Sequence, residues 1–536
     1  MRGGPGINKS FIAVALAAAF VVSSFDTAWT VRAATFRPNV DPSLRAGEVA
    51  LVHTTAGHAG ALSIKLAELG AVDIRTEDAA DTVIARLTPA AIDALSSDPT
   101  VTVATRDIAI VASGGGKGKP GYEKSDDARD SVNNDGQHSD GSRSDRASTD
   151  ASVSPSHLAI RGPQAWTRTT GEGVTVAIMD SGIADHPDLR GKIRARLDFT
   201  HDGSTLADPG GHGTFIAGVI AANGEMKGVA PDASLVSLRV LDKNGNGTLS
   251  SVVGAFSWAL KNQKRDKIDV LNISWGAPQA TSYHKSILSA LVEAAWFSGM
   301  TVVVAAGNDG PAAGSITAPA TDPFVVAVGS FNDHGTAAAA DDTYSTFSGR
   351  GPTLDGFAKP DILAPGEHVA SLRAKGVTYL AADGTPVGSP SDLYIHMSGT
   401  SASAAFVSGV AALVASAHRR FTPTQTKGAL LASTRPIAGS LVGAVDAPNA
   451  LVRTSIANAG LRPSRLLLQI LAKAHQLKVN GITWEGVSWD GVSWDGVTWD
   501  AVSWEAVSWE TVAWETVAWE TVAWEGVTWD DLVIAE

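Results

Sequence analysis

The sequence predicts an α/β protein built on a parallel sheet flanked by helices, with a small α+β unit ahead of it and a repetitive tail behind it. Three observations carry this reading. Apolar, β-branched runs at 174–179, 235–240, 268–273, 301–305 and 324–328 alternate with helical stretches at 212–222, 249–261, 286–297 and 401–418. Strands that are apolar throughout are buried on both faces, as in a parallel sheet covered by helices. Residues 46–111 compress a second β-α-β-α-β pattern into a short span, and from 481 onward tryptophan recurs every five residues.

The elements follow in chain order. Residues 1–33 read as a secretory signal peptide: Arg2 and Lys9 are basic, the run 11–22 is apolar, and Val31, Arg32 and Ala33 end it. A run of this length falls short of the ~20 residues a membrane-spanning helix needs, which disfavours an anchor. Residues 36–112 form the small unit, with strands expected at 49–52, 82–87 and 101–105 and helices at 59–69 and 89–95. Gly70 stops the first helix and Pro89 opens the second. Residues 113–152 are rich in Gly, Ser, Asp, Lys and Asn. They cannot bury enough apolar surface to offset chain entropy, so a disordered linker is expected.

The main domain spans 153–455. Residues 456–480 read as a connector, mildly basic and amphipathic over 462–478, hence helical. The tail, 481–536, places Trp484, Trp489, Trp494, Trp499, Trp504, Trp509, Trp514, Trp519, Trp524 and Trp529 in acidic pentapeptides. Five residues advance ~500° on a helix and alternate faces on a strand, so no single stripe forms. Very short stacked strands in a small solenoid, a surface-binding or assembly module, and a disordered acidic segment all remain open.

Composition excludes several chemistries. The chain has no cysteine, so disulfides, thiolate metal sites and a cysteine nucleophile are absent. The net charge of −13 is concentrated: residues 481–536 hold 12 acidic and no basic side chains, leaving about −1 elsewhere. No basic patch can track a phosphate backbone, so nucleic acid is not an expected partner.

The chemistry sits in three segments of the main domain. Asp180, His212 and Ser401 each follow small or apolar residues and each lies among glycines, in Asp180-Ser181-Gly182, Gly211-His212-Gly213-Thr214 and Ser398-Gly399-Thr400-Ser401. A nucleophilic serine needs an exposed turn, a histidine within reach of its hydroxyl, and a carboxylate that holds the imidazole in the right tautomer. Any one segment alone reads as a turn. The three in the order Asp, His, Ser within one α/β domain are specific.

Over roughly 155–455 these residues resemble the subtilisin-like serine proteases, the subtilases. Also shared are Gly228-Val229-Ala230-Pro231, the run 271–276, Ala305-Ala306-Gly307-Asn308 and the run 361–366. The resemblance implies a secreted endopeptidase made as a zymogen, acting on protein or peptide substrates. Ser401 would be the nucleophile, His212 the general base, Asp180 its orienting partner and Asn308 the oxyanion donor. It further implies that substrate lies as an added strand between Gly245-Asn246-Gly247 and Ser274-Trp275-Gly276. The pocket before the cut would be lined by Ser274 to Gly276 and Ala305, Ala306 and Gly307. No acid stands there, so apolar or aromatic side chains are expected, with Trp275 narrowing a neighbouring subsite. Ser398 precedes the turn and lacks the helix start that would expose it.

Departures from the family are Phe215, where a second histidine is usual after the His-Gly-Thr segment, and Ala405-Phe406 in place of Pro-His. No metal or cofactor is expected. The segment 221–228 is shorter than the family's frequent calcium loop, and Asp188 alone cannot supply the six to eight oxygens calcium takes. Residues 36–112 resemble the family's inhibitory prodomain, which would be the chain's own intramolecular partner; an unrelated small domain is the alternative. The rival function is a catalytically inactive scaffold acting through the tail.

Overall fold

The structure is a computed structural model of the 536-residue chain. It describes residues 39–41, 44–55, 57–77, 82–112, 121–122, 153–278, 281–379, 389, 392–467, 501–503 and 521–523. The expected signal peptide at 1–33, nearly all of the expected linker at 113–152, the expected connector after 467 and most of the tail lie outside the described residues.

The small unit holds β1 (Asn39–Val40), β2 (Val49–Thr54), α1 (Ala59–Glu68), β3 (Val72–Glu77), β4 (Thr82–Arg86), α2 (Pro89–Leu95) and β5 (Val101–Arg106). Its sheet runs in the order β1-β5-β2-β4-β3. The expected helices and strands are present. β3 is an addition: an edge strand whose Val72 is 54% exposed, so burial puts little apolar signature into its sequence. Side chains alternate across the sheet as strand geometry demands. Ala50, Val52, Val83 and Ala85 pack with Leu62, Leu66 and Leu95 under the helices. Leu51, Ile84 and Val103 point the other way and join the core of the main domain. Both faces of this sheet are therefore covered, one by its own helices and one by the larger domain.

Beyond it come β6 (Ala109–Ala112) and β7 (Gly121–Tyr122). The main domain then contributes β8 (Thr175–Asp180), β9 (Ile193–Asp198), α3 (His212–Ala221), β10 (Ser234–Arg239), β11 (Asn246–Thr248), α4 (Leu249–Asp266), β12 (Ile268–Ile273), β13 (Trp275–Gly276), α5 (Ile287–Phe297), β14 (Thr301–Ala305), β15 (Val326–Asn332), β16 (Thr343–Tyr344), β17 (Ile362–Pro365), β18 (Val369–Leu372), β19 (Tyr394–Ser398), α6 (Thr400–Ala417) and α7 (Pro423–Ala432). The central sheet runs β16-β15-β14-β12-β8-β10-β9, with β17 beside β15. Its pairings are parallel except β15 with β16. β8, fully buried, lies between β12 and β10. Helices α3 and α6 pack on each other and on the sheet, as do α4 and α5.

Among the described residues, α6 is the one helix long and apolar enough to cross a membrane. It is 83% buried inside the domain, which makes it a core helix. After it, residues 465–467 begin a helix, with Leu466 and Leu467 buried. The buried carboxylate of Glu293 accepts from Ser464 N (2.8 Å) and Oγ (2.6 Å), fastening this connector to α5. In the tail, Ala501–Ser503 pairs in parallel with Thr521–Ala523, twenty residues on, which is four repeat units.

Candidate active site

Ligands of parallel sheets gather at the carboxyl ends of the strands. β8 ends on Asp180. α3 begins on His212, and Ser401 is the second residue of α6. The turn after β8 and the start of α3 touch backbone to backbone: a Cβ on Gly213 would collide with the carbonyl of Gly182. That approach brings His212 Nδ1 to 2.7 Å from Asp180 Oδ1, which also accepts from Ser181 N at 2.7 Å. Asp180, His212 and Ser401 are each 0–1% exposed.

Holding Nδ1 against a carboxylate leaves Nε2 as the acceptor of a neutral imidazole. His212 Nε2 is buried and has no hydrogen-bond partner. Ser401 Oγ donates to the carbonyl of Ser274 (3.1 Å). Catalytic hydrogen bonds often close only once substrate is bound. Ser401 is held from a second side by a buried relay: Ser408 Oγ donates to Asn272 Oδ1 (2.8 Å), Asn272 Nδ2 to Ser274 Oγ (2.9 Å), and Ser274 Oγ to Ser401 O (3.2 Å).

Asn308 follows β14. Its Oδ1 accepts from Thr400 N and Thr400 Oγ1, both at 2.9 Å. A backbone N–H only donates, so this contact decides which way round the amide lies. Nδ2 is then the free end, and it is buried without a partner. The first N–H groups of any helix also lack intrahelical partners, and that of Ser401 is among them. The buried, unpartnered Asn308 Nδ2 and the Ser401 N–H thus meet at one helix start, an arrangement suited to a developing oxyanion.

The expected substrate-binding segments are brought together, and the chain itself fills the gap between them. β6 runs antiparallel to both β11 and β13, forming a three-stranded ribbon. Val111 pairs with Asn246, Ile110 with Gly247, and Ala112 with Trp275. Ala112 N also donates to Gly245 O (2.8 Å). Glycine is required at 247, where a Cβ would collide with Val240 O and press on Ile110. Ala305, Ala306 and Gly307 lie at the end of β14. Gly276 and Gly307 both back onto Thr317, whose side chain would meet a Cβ on either. Sequence reading missed Thr317, which no motif marks. Trp275 is wholly buried in the main core.

The departures from the family are packed positions. Phe215 is buried and its carbonyl accepts from Ser371 Oγ (2.6 Å). Ala405 and Phe406 are buried, with Phe406 edge-on to His157 at 4.9 Å. Ser398, at the end of β19, accepts from His368 N (3.0 Å). Asp188 accepts from Glu225 N (3.2 Å), Met226 N (2.9 Å) and the Tyr394 hydroxyl (3.0 Å). Its oxygens therefore face protein donors. Among the described residues no cluster of His, Asp and Glu is placed to hold a metal ion.

A largely parallel sheet with an Asp–His pair at one strand end, a serine in the first turn of a buried helix and a fixed amide beside it defines the class: a subtilisin-like α/β domain. The chain belongs to the subtilase family, whose pattern matches residues 171–459, more than half of its length. It is 37% identical over 296 residues to serine protease AprX of Bacillus subtilis (strain 168), covering 53% of this chain and 65% of that protein. It is 34% identical over 265 residues to thermitase of Thermoactinomyces vulgaris, covering 48% of this chain and 81% of that protein. The chain spans less than two thirds of AprX and 60% of subtilisin amylosacchariticus. Among solved structures it resembles fervidolysin of Fervidobacterium pennivorans, described as a keratinolytic enzyme related to subtilisin. The TM-score is 0.59 at 21% identity, over 80% of this chain and 64% of that one, a likeness of fold.

Proposed function

We propose that the chain is a serine endopeptidase, made as a secreted zymogen, that cleaves peptide bonds through a Ser401 acyl-enzyme. One observation carries the reading: His212 is tied to Asp180 at 2.7 Å, while His212 Nε2 and Asn308 Nδ2 stay buried and unpartnered at the start of the helix bearing Ser401. Ser401 Oγ attacks the scissile carbonyl carbon as its proton passes to Nε2. Asp180 stabilises the imidazolium. The carbonyl oxygen, now an anion, takes hydrogen bonds from Asn308 Nδ2 and Ser401 N. Collapse breaks the C–N bond, with the Nε2 proton going to the leaving amine. Water then repeats the cycle on the ester.

Residues 36–112 are the intramolecular inhibitor. Support comes from β6 lying between β11 and β13 and from Leu51, Ile84, Val103 and Ile110 in the main core. Asp107 adds to it by accepting from Ser250 N and Oγ (both 2.9 Å) at the start of α4. The composition of residues 1–33 supports secretion. The lining by Ser274, Gly276, Ala305, Ala306, Gly307 and Thr317 supports an apolar preference before the cut, since none of these carries a charge.

A serine-directed covalent probe tests the reading. The processed protein should label at Ser401 and Ser401→Ala should neither label nor cleave casein. Cleavage by Ser401→Ala at the wild-type rate would sink it. A function lost only on deleting 481–536 would favour the scaffold.

A further inference from the structure

Asp208 belongs to none of the motifs above, yet it is 1% exposed and lies against the turn that carries His212. Its Oδ1 accepts from Ser181 Oγ (2.8 Å) and Gly211 N (2.6 Å). Its Oδ2 accepts from Thr214 N (2.7 Å) and Thr214 Oγ1 (2.5 Å). Ser181 Oγ in turn accepts from Gly213 N (2.9 Å), and Ser181 N donates to the Asp180 oxygen that holds His212. The backbone N–H groups of 211, 213 and 214, on both sides of His212, are therefore gathered by Asp208 and Ser181.

We propose that Asp208 is a positioning residue for the His212–Asp180 pair, acting through Ser181 and the first turn of α3 and adding a second negative charge behind the imidazole. The proposal rests on the serine endopeptidase reading. Gly211, the N-cap of α3, has no side chain with which to cap its helix, and Asp208 supplies the missing acceptor from outside. Each of its oxygens faces a backbone N–H, which can only donate. An ionised carboxylate satisfies both; an amide would turn an NH2 group toward one of them. Burial pushes the Asp208 carboxyl upward, the hydrogen bonds from Thr214 Oγ1, Ser181 Oγ and Thr214 N oppose this, and the neighbouring Asp180 adds to the rise. The positive end of the α3 dipole favours the charged form.

Two consequences separate this from a merely structural role. Loosening the turn displaces the base from the nucleophile, which lowers kcat with little effect on substrate binding. Removing the charge takes a stabilising partner away from the imidazolium that forms as Ser401 gives up its proton, an effect the pH dependence of the rate reports. Among the described residues, the ionisable groups facing this turn are Asp180, Asp208 and the Tyr379 phenol, whose hydroxyl lies 3.4 Å from Gly211 O. The Arg373 guanidinium sits over the Tyr379 ring at 4.6 Å.

The test measures kcat and KM on a chromogenic peptide from pH 5 to 9, per active site counted with a serine-directed probe. Processed wild type, Asp208→Asn, Ser181→Ala and Ser401→Ala are compared. Asp208→Asn should lose roughly 10- to 100-fold in kcat, keep KM within about threefold, and shift the acid limb of kcat/KM to lower pH. Ser181→Ala keeps the charge and should lower kcat with the limb in place. An Asp208→Asn kcat within twofold of wild type, or a fall that leaves the limb unmoved, overturns the proposal. If Asp208→Asn yields no folded enzyme, Ser181→Ala decides: an unchanged kcat there overturns it. If wild type neither labels nor turns over, the endopeptidase reading has failed instead.

Discussion

Replacing Ile110 by alanine should unseat the small domain from the cleft without unfolding it. Ile110 is 0% exposed and stands opposite Gly247, where a Cβ would lie 2.9 Å from Ile110 Cγ1. It belongs to the apolar core of the main domain and not to the separate core of the small unit. The substitution deletes three carbons. At about 0.8 kcal/mol per methylene the transfer loss is ~2.4 kcal/mol. Incomplete collapse of the cavity brings the total to about 2.5–4 kcal/mol. At 1.4 kcal/mol per decade this weakens binding roughly 60- to 700-fold. The β6 backbone ladder is untouched, so residual binding should remain. The assay supplies residues 36–112 in trans to mature enzyme and measures the inhibition constant against a chromogenic peptide, with circular dichroism confirming that the variant keeps the fold of the wild-type fragment. An inhibition constant within threefold of wild type would refute both the seating of Ile110 and the inhibitory role built on it.

Asn308→Ala should lower kcat by about 10²–10³ with KM little changed, since it removes a transition-state donor worth roughly 3 kcal/mol, a figure that comes from subtilisin itself; a loss under tenfold would dismiss the oxyanion role. Gly213→Ala should give no probe-reactive enzyme, because its Cβ would meet the Gly182 carbonyl that joins the Asp180 and His212 segments; normal labelling would contradict that packing. Burial pushes the Asp269 carboxyl up to about 6 from an ordinary 3.8, against a bond from Thr175 N. The folded state thus holds a proton that the unfolded chain has released, and stability contributed below pH ~4 is lost as pH rises through about 6. Asp269→Asn in a Ser401→Ala background should therefore raise the melting temperature at pH 8, by at most about 3 kcal/mol of stability, with the gain fading toward pH 4; a lower melting temperature at pH 8 would refute this.

The motif residues were legible because their chemistry is local. Asp180, His212 and Ser401 each need a glycine-flanked strand or helix end, and that need is written in adjacent letters. The five main-sheet strands were legible for a related reason: a strand buried on both faces is mostly apolar, with few polar positions such as Asp269 and Asn272 in β12 to disguise it. β3 escaped notice as a half-exposed edge strand. Asp208 and Thr317 escaped because their roles lie in contacts with Ser181, Gly211, Thr214, Gly276 and Gly307, which no spacing announces.

Sequence by itself determined the fold class and marked Asp180, His212, Asn308 and Ser401 as the candidate site. Only the tertiary structure decided that residues 109–112 leave the small domain and lie between β11 and β13. Those partners are more than 130 residues away along the chain, and backbone pairing carries no side-chain signature that would reveal it. The same holds for the buried carboxylate of Asp208: an aspartate in a loop reads as solvated until the fold closes over it and aims four donors at its two oxygens.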